Sequence, residues 1–451
     1  MPQKGPRGQF QSPAQRAQVR RIADLGGTGG TLDYVTAWFV KAGEYAKGTC
    51  IRIGFVATNS ITQGEQVAQL WPILFDRCGL EIAFAHRTFA WGSDARGKAH
   101  VHVVIIGLDG RQAVPGRKRL FSYPDINGEP EETEHSVLSP YLFDAGGLAD
   151  PHMVVREEAR PINGLPKLIS GSKPIDGGHY IFPTEQKRAE FVAGEPGAEQ
   201  YVRPYIGARE YLRGGGRWIL ALHDAPPNVL AGMPAVRDRI AAVRAYREAS
   251  RSAPTRKLAQ TPTLYHVSVI PDAPFLVVPE VSSERREYVP TGWLEPPVIP
   301  SNKLRILVDA TLSQFAVLTS AMHMAWMRQI GGRLKSDYSY GIGMVYNTFP
   351  LPAGFGSGGG EHAPKLEPLA RAVLDARAAW PDATLADLYD PDLMPPNLRA
   401  AHQALDRAVG RLYRQTGFTS ERERVEHLFM LYEKMRAPLG IGIKKSKRRR
   451  R

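Results

Sequence analysis

The stretch Ile51–Gly107 constrains the fold more than any other part of the chain. Ile51–Ala57 (IRIGFVA) is a short, largely apolar run closed by Thr58-Asn59-Ser60 and then Gly64. Val67, Leu70, Trp71, Leu74 and Phe75 recur at helical spacing, which predicts a helix of roughly 14 residues with one face turned inward. Glu81–His86 (EIAFAH) and Val101–Gly107 (VHVVIIG) predict two further buried strands. A strand, a helix and two more strands in so short a span call for an α/β fold. Between the last two strands lies Arg87–Lys98 (RTFAWGSDARGK), read as a loop. It holds two aromatic residues, Phe89 and Trp91, and three cations. Ligands of an open α/β sheet collect at strand ends, so this segment is the first candidate site.

Size and charge narrow the partners. A chain of 451 residues has room for two to four domains and a sizeable core. The net charge is +13 with a pI near 9.6. Seven of those charges are Lys444, Lys445, Lys447 and Arg448–Arg451, which leaves six on the body. That excess favours an anionic partner such as nucleic acid. Cys50 and Cys78 have no metal-ligand spacing and read as core thiols of a reducing cytoplasm. The longest apolar helix, Phe315–Met327, is too short to span a bilayer, and no hydrophobic signal segment opens the chain, so no membrane role is expected.

Taken in order, Gln15–Leu25 reads as a basic helix leading into the glycine-rich turn Gly26–Gly30. Such a turn cradles a cofactor when a buried strand enters it; a charged helix enters this one, so it reads as a connection. Thr31 or Asp33 would cap a helix Leu32–Ala46, with Val35, Trp38, Phe39 and Ala42 as its apolar stripe. After Gly107 the sequence turns polar and loop-like through Asp150, which sets the first boundary and makes 1–150 one domain. The middle region, 151–352, mixes short strands with helices. It includes a strand or hairpin around Gly214–Gly216, a charged helix Val236–Arg251, a buried strand Pro274–Pro279, one apolar helix Thr311–Ile330 and an extended segment Arg333–Tyr340. A flexible linker, 353–364, leads to a helical bundle, 365–440, and a basic tail, 441–451.

A search for catalytic motifs finds no Walker loop, no H-E-x-x-H, no Cys/His metal set and no G-x-S-x-G. His86, His100 and His102 flank the aromatic segment, lack a fourth ligand, and read as hydrogen-bonded core histidines.

Longer strings are more informative. LDYVTAWFVKA (Leu32–Ala42), FVATNSITQGEQV (Phe55–Val67), FAHRTFAW (Phe84–Trp91), GKAHVHVVIIG (Gly97–Gly107), RPYIGAREYL (Arg203–Leu212), SSERREYVP (Ser282–Pro290), MHMAWMRQIGGRLKSDYSY (Met322–Tyr340) and LYDPDLMPP (Leu388–Pro396) run through nearly the whole chain. In order and spacing they resemble the MmeI-like family of DNA methyltransferases, which belong to type IIL/IIG restriction–modification systems. The resemblance implies the C-terminal part of a class I methyltransferase sheet, then a mixed α+β target recognition domain and a C-terminal helical bundle. It implies S-adenosylmethionine as cofactor, adenine N6 as methyl acceptor and double-stranded DNA as partner.

By the same resemblance Phe89 or Trp91 stacks on an extruded adenine; the plain alternative is that both rings cap the sheet end. Lys335 and Asp337, two apart on an extended segment, would read one G·C pair together, with Glu280 and Asn302 as further readout candidates. Arg285, Arg286, Arg328 and Arg333 are candidate phosphate contacts, or structural residues. One departure stands out. The family's N-P-P-[FY] tetrapeptide does not occur in the sequence, nor does a strand followed by a cofactor-type glycine turn. The expectation is therefore that this chain alone neither binds S-adenosylmethionine well nor methylates DNA. It reads as a truncated methyltransferase, or as half of a split enzyme completed by a methyltransferase or nuclease chain; the alternative is a non-catalytic specificity module acting with another chain.

Overall fold

The computed structural model describes residues 11–25, 32–91, 101–334 and 336–437. The turn Gly26–Gly30, the segment Gly92–His100, the expected readout residue Lys335 and the tail 441–451 lie outside the described residues. Two compact units result. A sheet unit takes the residues up to Arg156 and those from Arg422 on; a mixed unit takes Glu157–Asn347 and Leu351–Glu421.

In the sheet unit, helix α1 (Pro13–Ala23) starts at a reciprocal cap. The Ser12 hydroxyl accepts from the Gln15 N–H (3.2 Å), and the Gln15 side chain accepts from the Ser12 N–H (2.8 Å). Helix α2 (Thr36–Ala46) follows, then strand β1 (Ile53–Thr58), helix α3 (Glu65–Pro72) with a π-helical turn Ile73–Arg77, and strands β2 (Leu80–Trp91), β3 (Val101–Gly110), β4 (Lys118–Ser122) and β5 (Glu131–His135). The sheet order is β1-β3-β2-β4-β5. Strand β3 runs antiparallel to both β1 and β2, so those two are parallel to each other with α3 as their crossover; β4 lies parallel to β2 and β5 antiparallel to β4. Trp71 fills the core beneath the crossover, fully buried, and donates its indole N–H to the Ile61 carbonyl (2.8 Å). The helix Glu421–Arg436 contributes Phe429, whose ring lies 5.0 Å from Tyr141 and 4.6 Å from Phe143.

Several expectations are corrected here. Helix α2 begins at Thr36, and Trp38 is 57% exposed rather than part of an inward stripe. The buried face instead centres on Gly43, where an added Cβ would meet the Cys78 sulfur at 2.9 Å, too close for any side chain unless its neighbours move. Cys50 is exposed, whereas Cys78 is buried as expected. The polar stretch after Gly107 contains two strands, β4 and β5, whose exposed charged positions hid the alternation. Arg87–Trp91 is the end of β2 and not a loop, because Phe89, Ala90 and Trp91 stay paired with Val103, His102 and Val101.

The mixed unit is built from short strands. One sheet orders Gly292–Leu294, Phe275–Pro279, Leu304–Val308 and Ile169–Ser170; a second orders Ile299–Pro300, Val202–Ile206, Trp218–Leu220 and Ile181–Phe182; a third, of three strands, orders Val281–Ser282, Asp337–Ser339 and Gly332–Leu334. The expected helix Thr311–Ile330 is two helices, Leu312–Thr319 and Ala321–Ile330. Ser320 breaks them with an extended backbone and caps the second by accepting from the His323 N–H. Within the expected linker Phe355 is 1% exposed, and Gly354, Gly356, Gly359 and Gly360 take positive φ to turn the chain there. The helices Ala363–Ala378 and Pro396–Tyr413 belong to this unit.

Candidate nucleic-acid interface

Two places gather the residues singled out from the sequence. The first is one face of the β2–β4 edge in the sheet unit. Side chains alternate across a strand, so Phe84, His86, Thr88 and Ala90 would ordinarily share a face. The ladder instead pairs His86 with Ile105 and Phe89 with Val103, three residues against two. This β-bulge shifts the phase and turns Phe89 and Trp91 to the His86 side. An earlier shift between Ile82 and Phe84 had already moved Phe84 and His86 off the core face. Phe84 in turn lies over Gly107, where any Cβ would collide with its ring.

The outcome is a wall of rings. His86 stacks flat on Phe121 (4.2 Å, 7°), and Phe89 stacks on Tyr123 (4.8 Å, 21°). The His86 Nδ1 and the Tyr123 hydroxyl are hydrogen-bonded at 2.8 Å. Arg119 lies over Phe121 (5.0 Å) and is tied to Glu132 (2.5 Å). Burial, then the neighbouring Arg119, pushes the His86 pKa below its ordinary value, against Glu132. Burial, then Glu129, pushes the Tyr123 hydroxyl up. Both shifts favour neutral groups at neutral pH. Trp91 is 46% exposed, 6.1 Å from Phe89 and tilted by 46°. The reading of the sequence missed Phe121 and Tyr123, although Arg119, Phe121 and Tyr123 alternate as strand residues do.

The second place is the three-stranded sheet of the mixed unit. Arg333–Tyr340 is a hairpin rather than one extended segment, since Leu334 pairs with Asp337. Lys335 itself lies outside the described residues, so only Asp337 of the expected pair is placed, on the strand Asp337–Ser339. Glu280 links two sheets: its N–H donates to the Lys303 carbonyl (3.0 Å) and its carbonyl accepts from the Tyr340 N–H (2.8 Å). Its carboxylate meets Lys303 (2.9 Å) and Arg305 (3.1 Å). Asn302 sits beside it, its N–H donating to the Ser172 carbonyl (2.9 Å).

The four arginines fare differently. Arg328 donates to the Tyr338 hydroxyl (3.1 Å) and the Glu287 carbonyl (2.7 Å) and pairs with Glu421; Arg333 lies over the Tyr338 ring at 4.2 Å. Both fasten the hairpin. Arg285 pairs with Asp390 and Asp392. Arg286 donates to the Ser282 hydroxyl (3.3 Å) and lines a cleft of about 430 Å³ with Arg213, Arg285, Ser283, Asp387 and Asp390. Burial holds the Arg286 guanidinium below its ordinary range and the nearby Arg213 adds to this, while Asp337 and Asp390 oppose it.

Known proteins are similar to this chain along most of its length. The model of the MmeI DNA-methyltransferase domain matches residues 4–122, that of the MmeI target recognition domain residues 149–353, and that of the MmeI C-terminal domain residues 361–440. DNA methyltransferase A of Bacillus subtilis (strain 168) is 38% identical over 409 residues, covering 90% of this chain and 44% of its own length. The Type IIL restriction-modification enzyme MmeI, solved in complex with DNA, is 39% identical with a TM-score of 0.83, covering 94% of this chain and 55% of its own. The chain thus spans about half the length of these relatives. With the three models matching in order and the fold shared along nearly its whole length, the chain belongs to the MmeI family and carries its methyltransferase, target recognition and C-terminal domains.

Proposed function

We propose that the chain takes part in site-specific methylation of adenine N6 in double-stranded DNA, within a restriction–modification system and with S-adenosylmethionine as methyl donor. The observation that carries this reading is the 39% identity to MmeI, itself solved with DNA, across 94% of the chain. In this reading Phe89 or Trp91 receives the extruded adenine. Stacking on an aromatic ring contributes about 1–3 kcal/mol per base, which offsets part of the lost base stacking. Asp337, Glu280, Asn302 and Lys335 read base edges. Arg285, Arg286, Arg328 and Arg333 face phosphates; the first two line a cleft, which suits that role better than the fastening of Tyr338 by the other two.

The described residues do not fit the cofactor. Strand β1 leads into the 3-10 turn Asn59–Thr62 rather than a glycine turn, and β2 leads back through β3. The match of residues 149–353 to a target recognition domain supports a second reading, a DNA-binding specificity module acting with another chain.

Selection from a randomised duplex pool tests the shared part of both readings. The chain should enrich one sequence, and Lys335→Glu with Asp337→Arg should change it, at about 1–3 kcal/mol per wrong base pair. An unchanged preference refutes the readout roles. Transfer of labelled methyl groups to the enriched duplex then separates the two readings.

A further inference from the structure

Phe89 and Trp91 are equal candidates by sequence, but the sheet treats them differently. Strand β4 lies parallel to β2 in a register that pairs His86 with Phe121. Two residues further along, Tyr123 would face Thr88 in a regular strand. The extra residue of the bulge delivers Phe89 there instead, and its ring lies against Tyr123. The Tyr123 hydroxyl is held by His86, whose ring is flat on Phe121, and Phe121 is covered by Arg119. Phe89 thus rests on a column of rings fixed to two strands. Trp91 has only the tilted edge of Phe89 as a ring neighbour among the described residues. A binding surface gains most from a ring that is already immobile, because less freedom is lost when the ligand arrives.

We propose that Tyr123, anchored by His86, is a positioning residue that makes Phe89 the platform for the extruded base, with Trp91 outside that contact. This rests on the methyltransferase reading above. Tyr123 acts through Phe89: it fixes the plane of that ring by stacking, and its hydroxyl fixes its own.

The test uses the full chain and its selected duplex, with 2-aminopurine in place of the target adenine, since that base brightens when it leaves the stack. Wild type should brighten on binding. Phe89→Leu and Tyr123→Leu should reduce the bound-state signal about tenfold. Trp91→Leu should leave it within about twofold, and Tyr123→Phe, which keeps the ring but loses its tie to His86, should reduce it by less than Tyr123→Leu does. Tyr123→Leu should lower duplex affinity no more than Phe89→Leu does, whereas a merely structural fault would lower it further. Should Tyr123→Leu lower the melting temperature, His86→Leu, which frees the hydroxyl but leaves the ring, must still reduce the signal. An unaltered signal in Tyr123→Leu, or its loss in Trp91→Leu alone, overturns the proposal and leaves the methyltransferase reading standing. If wild type binds the duplex but never brightens, base extrusion by this chain is refuted and the proposal falls with it.

Discussion

The sheet unit and the mixed unit solve the same problem by different means. In the sheet unit β2 and β3 run 12 and 10 residues, so the ladder itself satisfies most backbone groups. In the mixed unit the strands run two to five residues, and many carbonyls lack a strand partner. Arginines meet them. Arg247, fully buried, donates to the carbonyls of Pro174, Ile175, Leu258, Thr261 and Leu264. Arg377 donates to the Thr291 carbonyl (2.6 Å) and the Tyr389 hydroxyl (2.7 Å), and that hydroxyl meets the His402 Nε2 at 2.7 Å. Buried polar backbone must find partners, and a guanidinium with five N–H donors is the side chain best equipped to reach several carbonyls. Irregular backbone in a core therefore comes with buried cations.

The sharpest way to break this contrast is Arg247→Met. It strands five carbonyls, and the mixed unit should lose about 3–5 kcal/mol. Hydrogen exchange should show protection lost around the strands Val202–Ile206 and Trp218–Leu220, with β2 and β3 still protected; equal loss in both units would show that they unfold together. The converse change is Gly107→Ala, which forces a methyl group into the Phe84 ring. It should cost the sheet unit about 1–3 kcal/mol, read as faster exchange in β2 and β3 alone.

A smaller effect comes from Glu81. Burial alone would raise its pKa, but hydrogen bonds and charge from His152, then Arg111, together hold it below the ordinary value. A depressed carboxyl pKa stabilises the fold above the unfolded-state value and loses that contribution as pH falls through the folded one. Glu81→Gln should remove about 1 kcal/mol at most at neutral pH and flatten the acid limb of a melting-temperature profile. The smallest change is Cys50→Ser, within about 0.5 kcal/mol of wild type. The exposed Cys50 should react with iodoacetamide in the folded protein. The buried Cys78, whose thiol is pushed up by burial, should not.

What could be read in advance follows the same division. The apolar runs of β1, β2 and β3 and the spacing of Val67, Leu70, Trp71, Leu74 and Phe75 were legible because a long ladder and a one-sided helix impose strict periods. The break at Ser320 was hidden, since buried apolar residues continue on both sides of it. The hairpin at Leu334 and Asp337 was hidden by alternation running through its tip. Phe89 and Trp91 were found by their chemistry, but not their shared face with His86, because a bulge has no composition of its own. Tyr123 lay in a stretch whose charges belong to the solvent side of β4 and β5.

That bulge in β2 makes one part of the protein sensitive to length rather than to identity. Removing a single residue between His86 and Phe89 would leave every ring in the gene product, yet rotate two of them to the opposite side of the sheet. Conservative substitutions there should be far gentler than a one-codon deletion, and a relative aligned with a gap at that point would keep the aromatic letters while losing the wall they build.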